Sequence, residues 1–232
     1  MPDSSVDLTP AVATRLRLGL PVPDRDFDAL LPADIRRASK RYWTPLVVVQ
    51  TVVEWMGVEG VERVLDVGSG PGKFCVAGAL ASAFHFTGVE HRQNLHEAAL
   101  ELAERAGVAP RTRLILGDIE AIELSTFPAL YLFNPFGENT FPVDEQLDHA
   151  VELGEARFHR DVSMIEAALA ASRVGTLVFT YHGFGGRIPD TFAPVRSELA
   201  GTDVVRMWKK VTDEPRGGHW LELDDALLLK RP

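Results

Sequence analysis

An α/β fold, a doubly wound and mostly parallel sheet of about seven strands with a C-terminal antiparallel strand, is predicted by three features of the sequence. Residues 64–72 read Val-Leu-Asp-Val-Gly-Ser-Gly-Pro-Gly, an apolar strand running into glycines at alternate positions. A second short apolar run, Phe84 to Val89, ends in an acid, Glu90. Two further runs, Arg113 to Leu116 and Ala129 to Phe133, also end in polar or glycine-rich segments. Four successive strands ending this way place their polar termini at one edge of a parallel sheet, where such sheets bind ligands.

The elements follow in order. Residues 1–23 hold Pro2, Pro10, Pro21 and Pro23 among small and polar residues, with a loose extreme end. A helix is expected from Asp26 to Lys40, broken or entered at Pro32. In Tyr42-Trp43-Thr44-Pro45, Thr44 suits an N-cap and Pro45 a first helical residue. The β-branched run Leu46 to Trp55 could pass for a strand, but those start signals favour a helix. A helical N-terminal extension, 1–44, is thus expected before a main domain, 45–232. Leu95, Ala99, Leu102 and Ala106 recur at helical spacing and are closed by Gly107. A long insertion follows the fourth strand, with a helix near Asp161 to Ser172. It is a natural substrate-binding element, in which His149 and His159 read as surface residues. A fifth strand, Val174 to Tyr181, leads into His182-Gly183-Phe184-Gly185-Gly186. Val204 to Val211, His219 to Leu223 and Ala226 to Lys230 suit closing antiparallel strands.

Glycines in a turn after a buried strand let the backbone approach a ligand closely. Gly68, Gly70 and Gly72 supply that approach, and Asp66 places a carboxylate suited to an ammonium or hydroxyl at the strand end. A dinucleotide fingerprint needs its third glycine three places after the second, where this chain has Lys73. Glu90 lies 22 residues past Gly68, the distance at which an acid reaches the hydroxyls of a ribose.

On Leu65-Asp66-Val67-Gly68-Ser69-Gly70-Pro71-Gly72, Gly88-Val89-Glu90, Gly117-Asp118-Ile119 and Phe133-Asn134-Pro135-Phe136, the chain resembles the class I, Rossmann-like S-adenosylmethionine-dependent methyltransferases over roughly 43 to 182. The turn and Glu90 look most like those of the histone lysine methyltransferases that lack a SET domain. The resemblance implies that Asp66 and the turn, Ser69 included, hold the methionine part of S-adenosylmethionine, Glu90 the ribose, and Asp118 with Ile119 the adenine. Many nitrogen methyltransferases carry Asn-Pro-Pro-aromatic, whereas this chain has a single proline in Asn134-Pro135-Phe136. In that motif the Asn side chain and the next carbonyl accept hydrogen bonds from the amine while the ring packs on it. Nitrogen and oxygen acceptors both stay open, as does a plain Asn-Pro turn.

Methyl transfer of this kind is direct displacement, in which orientation contributes about 7–11 kcal/mol. An amine acceptor must arrive neutral, oriented by Asn134 and the Pro135 carbonyl. For an oxygen of high pKa a general base is useful, and His182 or Glu138 is placed to serve. Trp43 and Thr44 lie in a segment that in related enzymes folds over the cofactor, giving an aromatic lid. Trp43 could equally staple the extension to the core.

Hydrophobic residues make up 46% and charged residues 25%, values of an ordinary globular chain. The net charge of −9 disfavours a nucleic-acid substrate, since that affinity comes largely from cations on phosphates. Arg36, Arg37, Lys40 and Arg41 form a local exception that reads as a solvated face or an anion-steering patch. Without a long apolar run or a signal-like segment, a cytoplasmic protein is expected, with no membrane partner. The one cysteine, Cys75, reads as a packing residue. The seven histidines show no close ligand pair, so no metal site is expected. The expected partner is a small-molecule or protein methyl acceptor, and no motif encodes the oligomeric state. Two other classes remain open: a non-catalytic cofactor-binding module and a nicotinamide-dependent dehydrogenase, which the glycine spacing disfavours.

Overall fold

A computed structural model describes residues 9–215 of the 232. Seven strands, β1 (Arg63–Val67), β2 (His85–Glu90), β3 (Thr112–Leu116), β4 (Ala129–Phe133), β5 (Leu177–Tyr181), β6 (Phe192–Ala200) and β7 (Asp203–Lys210), form a sheet in the order β3-β2-β1-β4-β5-β7-β6. β1 with β4, β2 with β3 and β4 with β5 pair in parallel, while β7 runs antiparallel to β5 and β6. The helices are α1 (Thr9–Arg17), α2 (Asp24–Asp28), α3 (Ala33–Arg36), α4 (Ser39–Tyr42), α5 (Leu46–Glu59), α6 (Lys73–Ala81), α7 (Gln93–Arg105) and α8 (Glu155–Ala171). This is the expected Rossmann-like α/β sheet with N-terminal helices. Strand order reverses at the β1/β4 pair, the switch point at which such sheets bind ligands beyond their carboxyl ends.

The described chain clusters into two compact units, one of residues 9–62 with 69–116, the other of 63–68 with 117–215. In the first, α6 is built of small residues and is buried from Lys73 to Leu80. Its Gly78 allows close packing on β2, because a Cβ there would lie 2.4 Å from the Phe86 ring. Cys75 is fully buried in this helix, as expected of a packing residue. α5 buries Val48, Val49, Val52, Trp55 and Met56 and ends at Gly60, where the Val61 amide donates to the Met56 carbonyl at 3.0 Å. The β-branched run is therefore helical. α7 buries Leu95, Ala98, Ala99, Leu102 and Ala103 and is closed at Gly107, as its spacing predicts.

In the second unit, α8 turns Ile165 and Leu169 inward. Its free carbonyls are met from β7, where the buried Lys210 ammonium donates to the carbonyls of Ala170 and Ser172 at 2.8 and 2.6 Å. β6 is the edge strand, with a bulge between Pro194 and Arg196.

The expected helical extension includes α1, which holds Pro10 in its first turn and buries Val12, Ala13 and Leu16. Several sequence expectations are corrected. The single helix Asp26 to Lys40 is three short helices, with Pro32 and Ala38 preceding the second and third. Thr44 does not cap α5. Pro45 precedes it in extended conformation, and the Leu46 amide donates at 2.9 Å to Asp24 Oδ1, a cap brought in from α2. The fifth strand starts at Leu177 instead of Val174, and α8 begins at Glu155, six residues ahead of Asp161. No sequence signal announces β6. His219 to Leu223 and Ala226 to Lys230 lie outside the described residues.

Candidate active site

In the first unit, the glycine turn is pinned by Glu90. Its Oε2 accepts from the Gly70 amide at 2.9 Å and its Oε1 from the Arg92 amide at 2.8 Å. The side chain is 6% exposed, and burial pushes its pKa up against the opposing pull of these amides and the Arg92 guanidinium. An ionised carboxylate has about four acceptor positions. The backbone amides of Gly70, Arg92 and His91 take up part of that capacity. Ser69 sits against β2: its amide donates to the Val89 carbonyl at 2.9 Å, and a Cβ on Gly88 would meet Ser69 Oγ at 2.6 Å. Gly72 precedes α6 with φ +75°.

Trp43 packs on this turn. A Cβ on Gly70 would lie 2.8 Å from its ring, and the indole N–H donates to the Ile35 carbonyl at 3.1 Å. Thr44 is buried beside it. The N-terminal segment is held there by a charged cluster that sequence reasoning missed. The Lys73 ammonium, 2% exposed, lies 2.7 Å from carboxylate oxygens of both Asp24 and Asp28. Ser39 donates to Asp28 at 2.5 Å. Lys73 was visible in the sequence as the residue occupying the third dinucleotide position, but nothing local named its partners, which lie 45 and 49 residues away. Arg36, Arg37, Lys40 and Arg41 are exposed.

In the second unit, Asp66 is buried on β1 with Tyr131 as its neighbour in register on β4. Gly68 (φ +71°) faces the turn after β4: a Cβ there would lie 3.3 Å from Pro135 Cβ. The structure thus brings the Gly68 end of the glycine turn against Asn134-Pro135-Phe136. Asn134 itself has φ +39° and donates its amide to the Gly183 carbonyl at 2.8 Å, joining this turn to the loop after β5. Its side chain folds back over Gly137, where a Cβ would lie 2.2 Å from Asn134 Nδ2. Phe136 is buried.

His182 begins the loop after β5 with φ +55°. Its Nδ1 lies 2.9 Å from Asp203 Oδ2, and its ring meets Tyr181 edge-on at 4.5 Å and Phe133 at 5.6 Å. Glu138, the other base candidate, turns to its own insertion, where Oε1 accepts from the Leu147 amide at 2.6 Å. Asp118 precedes the short turn Ile119–Ala121 and pairs with the Arg157 guanidinium of α8, while Ile119 is buried. Asp118, Glu120 and Asp161 offer oxygens within 4.8 Å of one another, and Arg157 and Arg160 bridge these acids. Burial pushes the Asp161 pKa up. His149 and His159 are exposed. Neither Arg157 nor Asp203 announces itself in sequence, since each is supplied by a distant element.

Residues 37–121 match the family model described as protein-L-isoaspartate(D-aspartate) O-methyltransferase. The matched segment carries Trp43, the glycine turn, Glu90 and Asp118 and is under half of the chain. Comparison with curated proteins gives no match. Among solved structures, an RNA methyltransferase from Salinibacter ruber in complex with S-adenosyl-L-homocysteine is 21% identical, with a TM-score of 0.54, covering 75% of this chain and 96% of its own. Magnesium protoporphyrin IX methyltransferase from Synechocystis PCC 6803, with bound S-adenosylmethionine, is 12% identical with a TM-score of 0.53, over 90% of this chain and 99% of its own. A methyltransferase from Geobacter sulfurreducens is 16% identical with a TM-score of 0.53, over 88% and 98%. These likenesses show that the chain shares the Rossmann-like fold of class I S-adenosylmethionine-dependent methyltransferases. Among the described residues, no helix is long and apolar enough to cross a membrane.

Proposed function

We propose that the chain binds S-adenosylmethionine and directs its methyl group to an amine or hydroxyl of a small-molecule or protein acceptor. The observation that carries this reading is the pinned turn: Glu90, buried at the end of β2, holds the Gly70 amide and sets a carboxylate beside the glycine turn. A ribose diol fits such a carboxylate, and glycines at 68, 70 and 72 leave room for close approach of a ligand to the backbone. When bound, S-adenosylmethionine supplies an activated methyl on sulfur that leaves by direct displacement.

The chain's own residues do the rest. Asp66, Ser69 and the turn hold the methionine part, Glu90 the ribose, and Asp118 with Ile119 the adenine. Asn134, Pro135 and Phe136 form the acceptor-side turn, with His182 at hand as a base. The segment 1–44 acts as a lid through Trp43 and Thr44 on the binding domain 45–232. Family and fold likeness to methyltransferases supports the class, and the likeness to histone lysine enzymes without a SET domain is kept to the cofactor motifs, because those say little of substrate. The net charge of −9 favours an acceptor other than nucleic acid, and a cytoplasmic location fits the single cysteine.

Calorimetric titration with S-adenosylmethionine, S-adenosylhomocysteine and NAD tests the reading. Saturable binding of both sulfur compounds is expected. Glu90→Ala and Asp66→Ala should each weaken it about tenfold or more, as buried ligand groups lose partners. Binding of NAD alone would move the chain to the dehydrogenases. Asn134→Ala should lower transfer more than binding.

A pH series supplies a second check. Glu90 must be ionised to accept two ribose hydroxyls, and its folded pKa lies above the 4.5 of a free glutamate. Cofactor affinity therefore declines on acidification before an ordinary carboxylate would protonate. For the free protein the sign is opposite: the folded state binds the proton more tightly, so burial of Glu90 costs stability above its raised pKa and the cost is relieved as pH falls. Affinity that stays flat down to pH about 4.5 would refute the assignment.

A further inference from the structure

We infer that Asp203 positions His182 as the general base of the transfer and that the acceptor is an aromatic hydroxyl. This rests on the methyltransferase reading above and names the substrate class of that site.

Asn134 lays its side chain over Gly137 within its own turn, and its backbone amide donates to the Gly183 carbonyl, tying the turn to the loop after β5. A second polar group beside this turn is His182, in the loop that the same hydrogen bond ties down. Its ring is 40% exposed and its Nδ1 lies 2.9 Å from the Asp203 carboxylate. A carboxylate partner fixes the proton on Nδ1 and leaves Nε2 with the lone pair, the arrangement a general base needs. The backbone is held at φ +55°, a left-handed conformation that a residue other than glycine keeps only where surrounding structure enforces it. Asp203 from β7 and Tyr181 from β5 are titratable groups in contact with the ring. Tyr181 is committed, its hydroxyl donating to the Ala200 carbonyl and accepting from the Thr202 amide.

Proton matching selects the acceptor. A phenol, far more acidic than an aliphatic alcohol, yields its proton to an imidazole far more readily. The half-buried Phe133 ring, 5.6 Å from His182, offers an aromatic face for such a substrate. In the transfer the acceptor oxygen uses a lone pair to form the O–CH3 bond as the C–S bond breaks and its pair stays on sulfur. The hydroxyl proton passes to His182 Nε2 and then to water.

Two measurements test this. Long-range proton–nitrogen correlation spectra of the ligand-free protein should show His182 as the Nδ1–H tautomer, assigned with His182→Asn, whose side chain tolerates the left-handed backbone. Asp203→Leu should abolish that preference. Labelled methyl transfer is then followed to catechol and p-cresol against benzylamine. Methylation of the phenols is expected, with kcat reduced about 10²–10⁴-fold in His182→Asn, a smaller kcat loss in Asp203→Leu, and S-adenosylhomocysteine affinity unchanged in both. Methylation of benzylamine instead, parental kcat in His182→Asn, an Nε2–H tautomer, or no phenol methylated while the cofactor binds would each overturn the inference. Failure to bind S-adenosylhomocysteine at all would instead overturn the methyltransferase reading beneath it.

Discussion

Lys73→Met is expected to destabilise the chain by about 3–5 kcal/mol, the usual cost of removing one partner from a buried ion pair. The ammonium is buried and sits 2.7 Å from Asp28, itself buried, and 2.7 Å from the half-exposed Asp24. Removing it leaves the Asp28 carboxylate with Ser39 as its remaining hydrogen-bond donor in a region that water does not reach. Asp24, being half-exposed, is rehydrated at little cost. Most of the loss therefore comes from Asp28, and Lys73→Met/Asp28→Leu should recover a large part of it, since an apolar pair has no charge to desolvate. At roughly 2–4 °C per kcal/mol for a chain of this size, thermal unfolding resolves the difference readily. Unfolding of Lys73→Met like the parent would show that the cluster is not what holds α2 and α4 to α6. Because the same cluster seats the segment bearing Trp43, the variant should also bind S-adenosylhomocysteine more weakly at temperatures where it remains folded.

That cluster also shows where sequence reading stops. The sheet was legible because each strand carries its own signal, an apolar run closed by a polar or glycine residue, as in Val64-Leu65-Asp66-Val67-Gly68. α7 was legible because Leu95, Ala99 and Leu102 lie on one face at helical spacing. β6 was not, because Pro194 and a bulge interrupt it and its outward residues break any alternation, which an edge strand tolerates. α1 was hidden by Pro10 in its own first turn and by Pro21 and Pro23 after it. In the candidate site, Asp66, Glu90 and Asn134 could be named because each stands at a strand end. Their partners could not. The acceptor that caps α5 comes from Asp24, the guanidinium on Asp118 from α8, and the carboxylate on His182 from β7. Such pairings are set by which elements the fold brings together, and no local pattern records them.

Gly70→Ala is expected to lower affinity for S-adenosylhomocysteine about 10–100-fold, and two separable terms produce this. Gly70 has φ +52°, where a side chain costs about 1–2 kcal/mol. The new methyl would also lie 2.8 Å from the Trp43 ring, which is buried and fixed by its hydrogen bond to Ile35. A flexible chain end could swing aside, but an anchored indole moves only with its segment. The turn or the segment must therefore shift, and the Gly70 amide is pulled off the Glu90 carboxylate that it meets at 2.9 Å. Trp43→Leu in the same chain removes the steric term and leaves the backbone term. Each 1.4 kcal/mol is a factor of ten in affinity. Calorimetry on Gly70→Ala, Trp43→Leu and the double variant should thus give a binding loss in the double variant smaller than the sum of the singles. Strict additivity would mean that Trp43 does not press on the turn when ligand is bound, and the N-terminal segment would then be a staple for the core instead of a lid.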